Sequence, residues 1–97
     1  MIEKKTCFLY VIECRDKTLY TGISYDVRKR IMLHNAGRGA TYTASRRPVN
    51  LIGVWQFDDR STALRAEIAF KKLSRQTKLF FIMERNSFHQ APFVSTD

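Results

Sequence analysis

The sequence predicts a small α/β (α+β) domain in which a three-stranded antiparallel sheet is flanked by about three helices. Three observations lead there. Phe8 to Glu13 and Thr18 to Thr21 are alternating runs rich in β-formers, and Arg15-Asp16-Lys17 between them reads as a hairpin turn. Two later segments begin at capping residues, Ser24 or Asp26 and then Asp59 or Ser61, and continue with helical periodicity. Between them, Val49 to Phe57 reads as a third strand ended by Asp58-Asp59.

Each element carries a distinct expectation. With Arg15 at the centre of the turn, Tyr10 and Tyr20 sit opposite each other on one face of the hairpin, and a slip of one residue moves one of them to the other face. In the first helix, running to about Asn35, Val27, Arg30, Ile31 and His34 share a side. An arginine there either reaches the edge or lines a pocket, because an unpaired buried charge is costly.

From Ala36 to Pro48 the chain is rich in Gly, Ser and Thr and shows neither period, so it reads as a basic, flexible loop. The second helix, through about Leu73, has Ala63, Ala66, Phe70 and Leu73 as its apolar stripe with Glu67 at the edge. Lys71 stands at i,i+4 from Glu67 as a ready ion-pair partner. Thr77 to Arg85 reads as a short third helix whose apolar part is Leu79, Phe80, Ile82 and Met83. The folded domain is therefore expected over residues 1–85, with 86–97 as a loosely held tail that includes Phe88 and Phe93.

At 97 residues the chain has room for one core and none for a separate recognition domain. Its 44% apolar and 27% charged residues argue against disorder. No apolar run approaches a membrane span, and the first residues lack the apolar stretch of a signal peptide, so a cytoplasmic location is expected. Cys7 and Cys14 lie an odd number of positions apart and should face opposite ways as reduced packing residues. Without clustered histidines they also argue against structural zinc.

The net charge of +8 is unevenly spread. No acid lies between Asp26 and Asp58, a stretch that holds Arg28, Lys29, Arg30, Arg38, Arg46 and Arg47, and after Glu67 come Lys71, Lys72, Arg75 and Lys78. Clustered cations gain affinity for a polyanion by releasing counterions from phosphates, so nucleic acid is the expected partner.

Two phenols, a fixed cation and a carboxylate in separate elements suit phosphodiester chemistry. Taken in order, Phe8-Leu9-Tyr10, Tyr20-Thr21-Gly22, Asp26-Val27-Arg28-Lys29-Arg30, His34-Asn35 and Arg65-Ala66-Glu67 resemble the motifs of the GIY-YIG nuclease family, over roughly residues 6 to 83. The likeness is strongest to its small stand-alone bacterial members, in which the Gly-Ala-Thr-Tyr-Thr and Ser-Arg-Arg-Pro stretch also appears. The departures, Phe8 for glycine and Thr21 for isoleucine, replace no group with acid-base or charge chemistry.

The resemblance implies a metal-dependent endonuclease that hydrolyses DNA, with selectivity for DNA structure because nothing of the chain is left over to read sequence. It implies Tyr10 as general base with Tyr20 as its hydrogen-bond partner, or the reverse. It also implies Arg30 on the scissile phosphate, Glu67 holding one divalent cation, magnesium or another such as manganese, and a share for His34 in orienting water or phosphate. For His34 the competing assignment is a packed or capping histidine.

Gly22 would let the phosphate approach the strand end, and Lys29, Arg38, Arg46, Arg47 and Lys72 would contact the nucleic-acid backbone; a turn glycine and a solvated basic surface are the plain alternatives. Tyr42 is a candidate for stacking on a base, and Trp55 is expected in the core. Two other functions stay open: a nucleic-acid-binding module with weak or no cleavage, and a nuclease subunit that needs a protein partner. The choice between DNA and RNA, and between monomer and weak dimer, also stays open.

Overall fold

A computed structural model describes residues 5–84, and the strand in the middle of its sheet is the first one in sequence, β1 (Cys7–Glu13). It pairs antiparallel with β2 (Leu19–Ser24) on one side and β3 (Asn50–Phe57) on the other, giving the order β2-β1-β3. That central place explains why Leu9, Tyr10, Val11 and Ile12 are all buried. One face of β1 contributes Cys7, Leu9 and Val11 to a core with Trp55, Phe57, Ala63, Ala66, Phe70 and Ile82. The other contributes Tyr10 and Ile12, which pack with Cys14 and Val49 and, half-buried, Tyr20, Val27 and Ile31. The two cysteines thus sit in separate clusters, both free, as their spacing predicts.

Helices cover both faces. On the Tyr10 side lies α1 (Val27–Asn35), capped by Asp26, whose carboxylate accepts from the Lys29 N–H at 3.1 Å. On the other side lie α3 (Arg60–Lys71), capped by Asp59, and α4 (Arg75–Met83), capped by Ser74. Helix α3 ends two residues before the expected Leu73, and α4 starts two residues before the expected Thr77, because Ser74 accepts from the Thr77 N–H and opens the helix there. Within α4, Ile82 is buried but Phe80 and Met83 are largely exposed, so only part of the expected apolar stretch joins the core. Residues 85–97, with Phe88 and Phe93, lie outside the described residues, and no helix among those described is long and apolar enough to cross a membrane.

Two expectations are corrected. The hairpin turns about Asp16 rather than Arg15: Lys17 adopts a left-handed φ of 72°, and the Asp16 carboxylate accepts from both the N–H and the hydroxyl of Thr18. Tyr10 therefore stands opposite Gly22, and Tyr20 opposite Ile12. The displacement is two residues, so both phenols keep the same face. Residues 36–48, expected to lack structure, contain a fourth, short helix, α2 (Thr41–Ala44). Arginine side chains supply what its composition does not: Arg46 donates to the Tyr42 carbonyl, Arg47 to those of Ala44 and Asn35, and Arg30 to that of Gly39. Asn35 closes the segment by exchanging two hydrogen bonds with the backbone of Val49.

Candidate functional site

Tyr10 and Arg30 face each other across the space between β1 and α1, and glycines make room for Tyr10 and for its neighbour His34. A Cβ added at Gly22, directly across the ladder from Tyr10, would lie 2.6 Å from the Tyr10 hydroxyl oxygen. The room that a side chain would take at Gly22 is therefore filled by the phenol. Gly39 plays the same part for His34, whose ring a Cβ there would overlap.

The Tyr10 hydroxyl lies 2.8 Å from Nε2 of His34, and Nδ1 of His34 lies 2.8 Å from the Thr43 hydroxyl. Thr43 in turn donates to the Ala40 carbonyl at 3.2 Å, which uses its one proton. It must then accept from Nδ1–H, which leaves Nε2 as a bare acceptor for the Tyr10 proton. Arg30 completes the arrangement, donating from Nε to the Tyr10 oxygen at 3.4 Å and from Nη2 to the Gly39 carbonyl at 2.8 Å. The arginine is part-buried, and these two acceptors partner its charge.

The electrostatics favour a neutral pair at rest. Burial raises the Tyr10 phenol above its ordinary 10.0, and the hydrogen bond and charge of Arg30 pull the other way without prevailing. Burial, helped by the Arg30 charge, lowers His34 below its ordinary 6.5. Tyr10 and His34 are each no more than 1% exposed. The partner of Tyr10 is thus His34 and not Tyr20, which corrects the expected pairing of the two phenols. Tyr20 meets His34 edge-on at 5.2 Å between ring centres and stacks on Tyr42 at 6.2 Å.

Glu67 stands on α3 with its side chain 15% exposed, and Lys71 lies 3.3 Å from its carboxylate as i,i+4 spacing predicts. Its charge reaches Tyr10, where it adds to the effect of burial. No group of three His, Cys, Asp or Glu among the described residues is placed to enclose a metal. A single half-buried carboxylate does fit a cation that binds through one or two carboxylates, waters and the phosphate of its substrate, as magnesium does.

The remaining candidates divide by commitment. Lys29, Arg38 and Lys72 are exposed. Arg46 is held by Asp16 at 3.1 Å and lies over the Tyr42 ring at 3.8 Å, and Arg47 spends its guanidinium on carbonyls. Trp55 belongs to the core, 5.5 Å from Phe70. Asn35, Gly39 and Thr43 stand in the motifs that carry the family likeness, but their roles here were not read from the sequence, because they lie in or beside an irregular segment that has no period.

The chain resembles known proteins over nearly its whole length. The family model described as the GIY-YIG catalytic domain matches residues 6–80. The UPF0213 protein YazA of Bacillus subtilis is 41% identical over 93 residues, 96% of this chain and 94% of that one. The UPF0213 protein SAG0778 of Streptococcus agalactiae is 44% identical over 84 residues, 87% of this chain and 96% of that one. The solution structure of EF2693 from E. faecalis superposes with a TM-score of 0.59 at 39% identity, covering 93% of this chain and 97% of that one. That of the UPF0213 protein BH0048 from Bacillus halodurans gives 0.55 at 38%, covering 82% and 85%. With the fold, the order of motifs and the family model in agreement, the chain belongs to the GIY-YIG family.

Proposed function

We propose that the protein is a metal-dependent endonuclease that hydrolyses phosphodiester bonds in DNA. The observation that carries this is the directed proton path from Tyr10 to Nε2 of His34, with Arg30 beside the same oxygen. A phenol whose pKa is raised by burial is a poor resting base, so it can take a proton from water only while giving up its own. His34 accepts that proton, Thr43 holds the ring in the tautomer that can do so, and Tyr10 never carries a full negative charge. Arg30 offers its planar fork to the phosphate and stabilises negative charge that develops there. Glu67 would hold the divalent cation, which when bound supplies positive charge to the phosphate and the leaving oxygen.

The exposed cations Lys29, Arg38 and Lys72, with the outer edges of Arg46 and Arg47, support a polyanionic substrate. A second function, binding without cleavage, is favoured by one observation: Tyr10 is sealed from solvent and its hydroxyl already has partners.

Incubating purified protein with plain, flapped and branched DNA, in magnesium or chelator, separates the two. Magnesium-dependent cutting that disappears in Glu67→Ala supports the nuclease. Salt-sensitive binding with no cutting of any substrate supports the binding module.

A further inference from the structure

Beside β2 a cleft of about 370 Å³ opens between the two helical layers, lined by Leu19, Tyr20, Thr21, Tyr42, Lys71 and Lys78. It adjoins the candidate site through two groups. Tyr20 touches His34 on one side and lines the cleft on the other. Lys71 lines the cleft and also holds Glu67 at 3.3 Å. The lining has two ammonium groups, phenol rings and no acid. Among the described residues Lys78 forms no ion pair, resting instead 6.0 Å over the Phe70 ring.

We infer that this cleft is a second phosphate site for the bound strand, and that Lys71 couples it to cation binding at Glu67. The inference rests on the nuclease function proposed above. In the free protein the Lys71 ammonium neutralises Glu67, so a divalent cation arriving there meets a like charge and must displace it. Lys71 is 55% exposed on a flexible four-carbon stem, free to turn toward the cleft. A phosphate held there by Lys78 gives Lys71 a new anion and leaves the carboxylate open. Each ligand therefore favours the other, and the coupling is reciprocal. A cation is then retained chiefly when a strand is in place.

Two binding measurements test this without turnover. Manganese binding to the protein alone, followed by electron paramagnetic resonance, should be about fivefold tighter in Lys71→Met than in the parent, the scale of one lost surface ion pair. Anisotropy of a labelled DNA duplex should show the parent binding more tightly in calcium than in chelator, with that ratio falling toward one in Lys71→Met and kept in Lys71→Arg. Lys78→Gln should lower the slope of log affinity against log salt by about 0.9, one phosphate contact, while leaving manganese affinity unchanged. Unchanged manganese affinity in Lys71→Met, or an unchanged salt slope in Lys78→Gln, would overturn the inference. A parent protein that shows the coupling yet cuts no substrate would overturn the nuclease and leave the cleft standing; cutting with no effect of these variants on binding would do the reverse.

Discussion

The Tyr10 hydroxyl donates to Nε2 of His34 across 2.8 Å, and both groups are almost wholly buried. The strand supplies the phenol, the helix the acceptor, and the short helix between α1 and β3 supplies Thr43, which decides where the imidazole proton sits. Tyr10→Phe removes the proton path and strands the His34 acceptor. It should lower the cleavage rate by about 10²–10⁴ and stability by about 1–3 kcal/mol. Single-turnover kinetics and denaturant melts check the two effects separately.

Thr43 acts through His34 rather than on the substrate. Thr43→Val keeps the shape and loses the acceptor, freeing the ring to adopt the tautomer with Nε2 protonated. The rate constant should fall about tenfold or more, within the range of one proton-transfer contribution, with KM unchanged. Thr43→Ser should restore most of it. Equal rates for Thr43→Val and the parent would remove the histidine from the proton path.

The pH dependence follows from the direction of the His34 shift. The folded protein holds His34 below its ordinary 6.5, so as pH falls under that value the unfolded chain takes up a proton before the folded one does. Stability contributed by neutral His34 is complete above about 6.5 and declines as pH drops toward the folded pKa. The cleavage rate should fall on its acid side, along a limb centred below 6.5, because imidazolium cannot accept the Tyr10 proton. Rate and melting profiles between pH 4 and 8 test both, and the limb should vanish in the residual activity of His34→Ala.

Gly22 offers a steric test of the same geometry. A methyl group at this position meets the Tyr10 hydroxyl at 2.6 Å, so the phenol must leave His34. Gly22→Ala should cost about 1–3 kcal/mol, as overpacking does, and should depress cleavage about as much as Tyr10→Phe. A nearly native rate in this variant would show that the ring need not lie where it does.

Much of this was legible in the sequence for a physical reason: periodic elements announce themselves. The alternation around Tyr10 and Tyr20, the capped helix that turns Arg30 and His34 inward, and the apolar stripe that leaves Glu67 at its rim all depend on spacing alone. The turn was misplaced because three consecutive charged residues offer several centres, and only the grip of Asp16 on Thr18 selects one. The segment from Ala36 to Pro48 was opaque because its order comes from arginines that bond distant carbonyls. The pairing of Tyr10 with His34 instead of Tyr20 depends on those two features and could not be read from either tyrosine.

The central claim is that Tyr10 passes its proton to His34 while Glu67 holds a cation at the same phosphate. Its most direct measurement is cleavage of a panel of plain, flapped and branched DNA by the parent, Tyr10→Phe, His34→Ala and Glu67→Ala, with magnesium or chelator. The prediction is magnesium-dependent cutting by the parent and a loss of at least about a hundredfold in each variant, with DNA binding retained by all four. Cutting that proceeds unchanged in Tyr10→Phe and Glu67→Ala would contradict it.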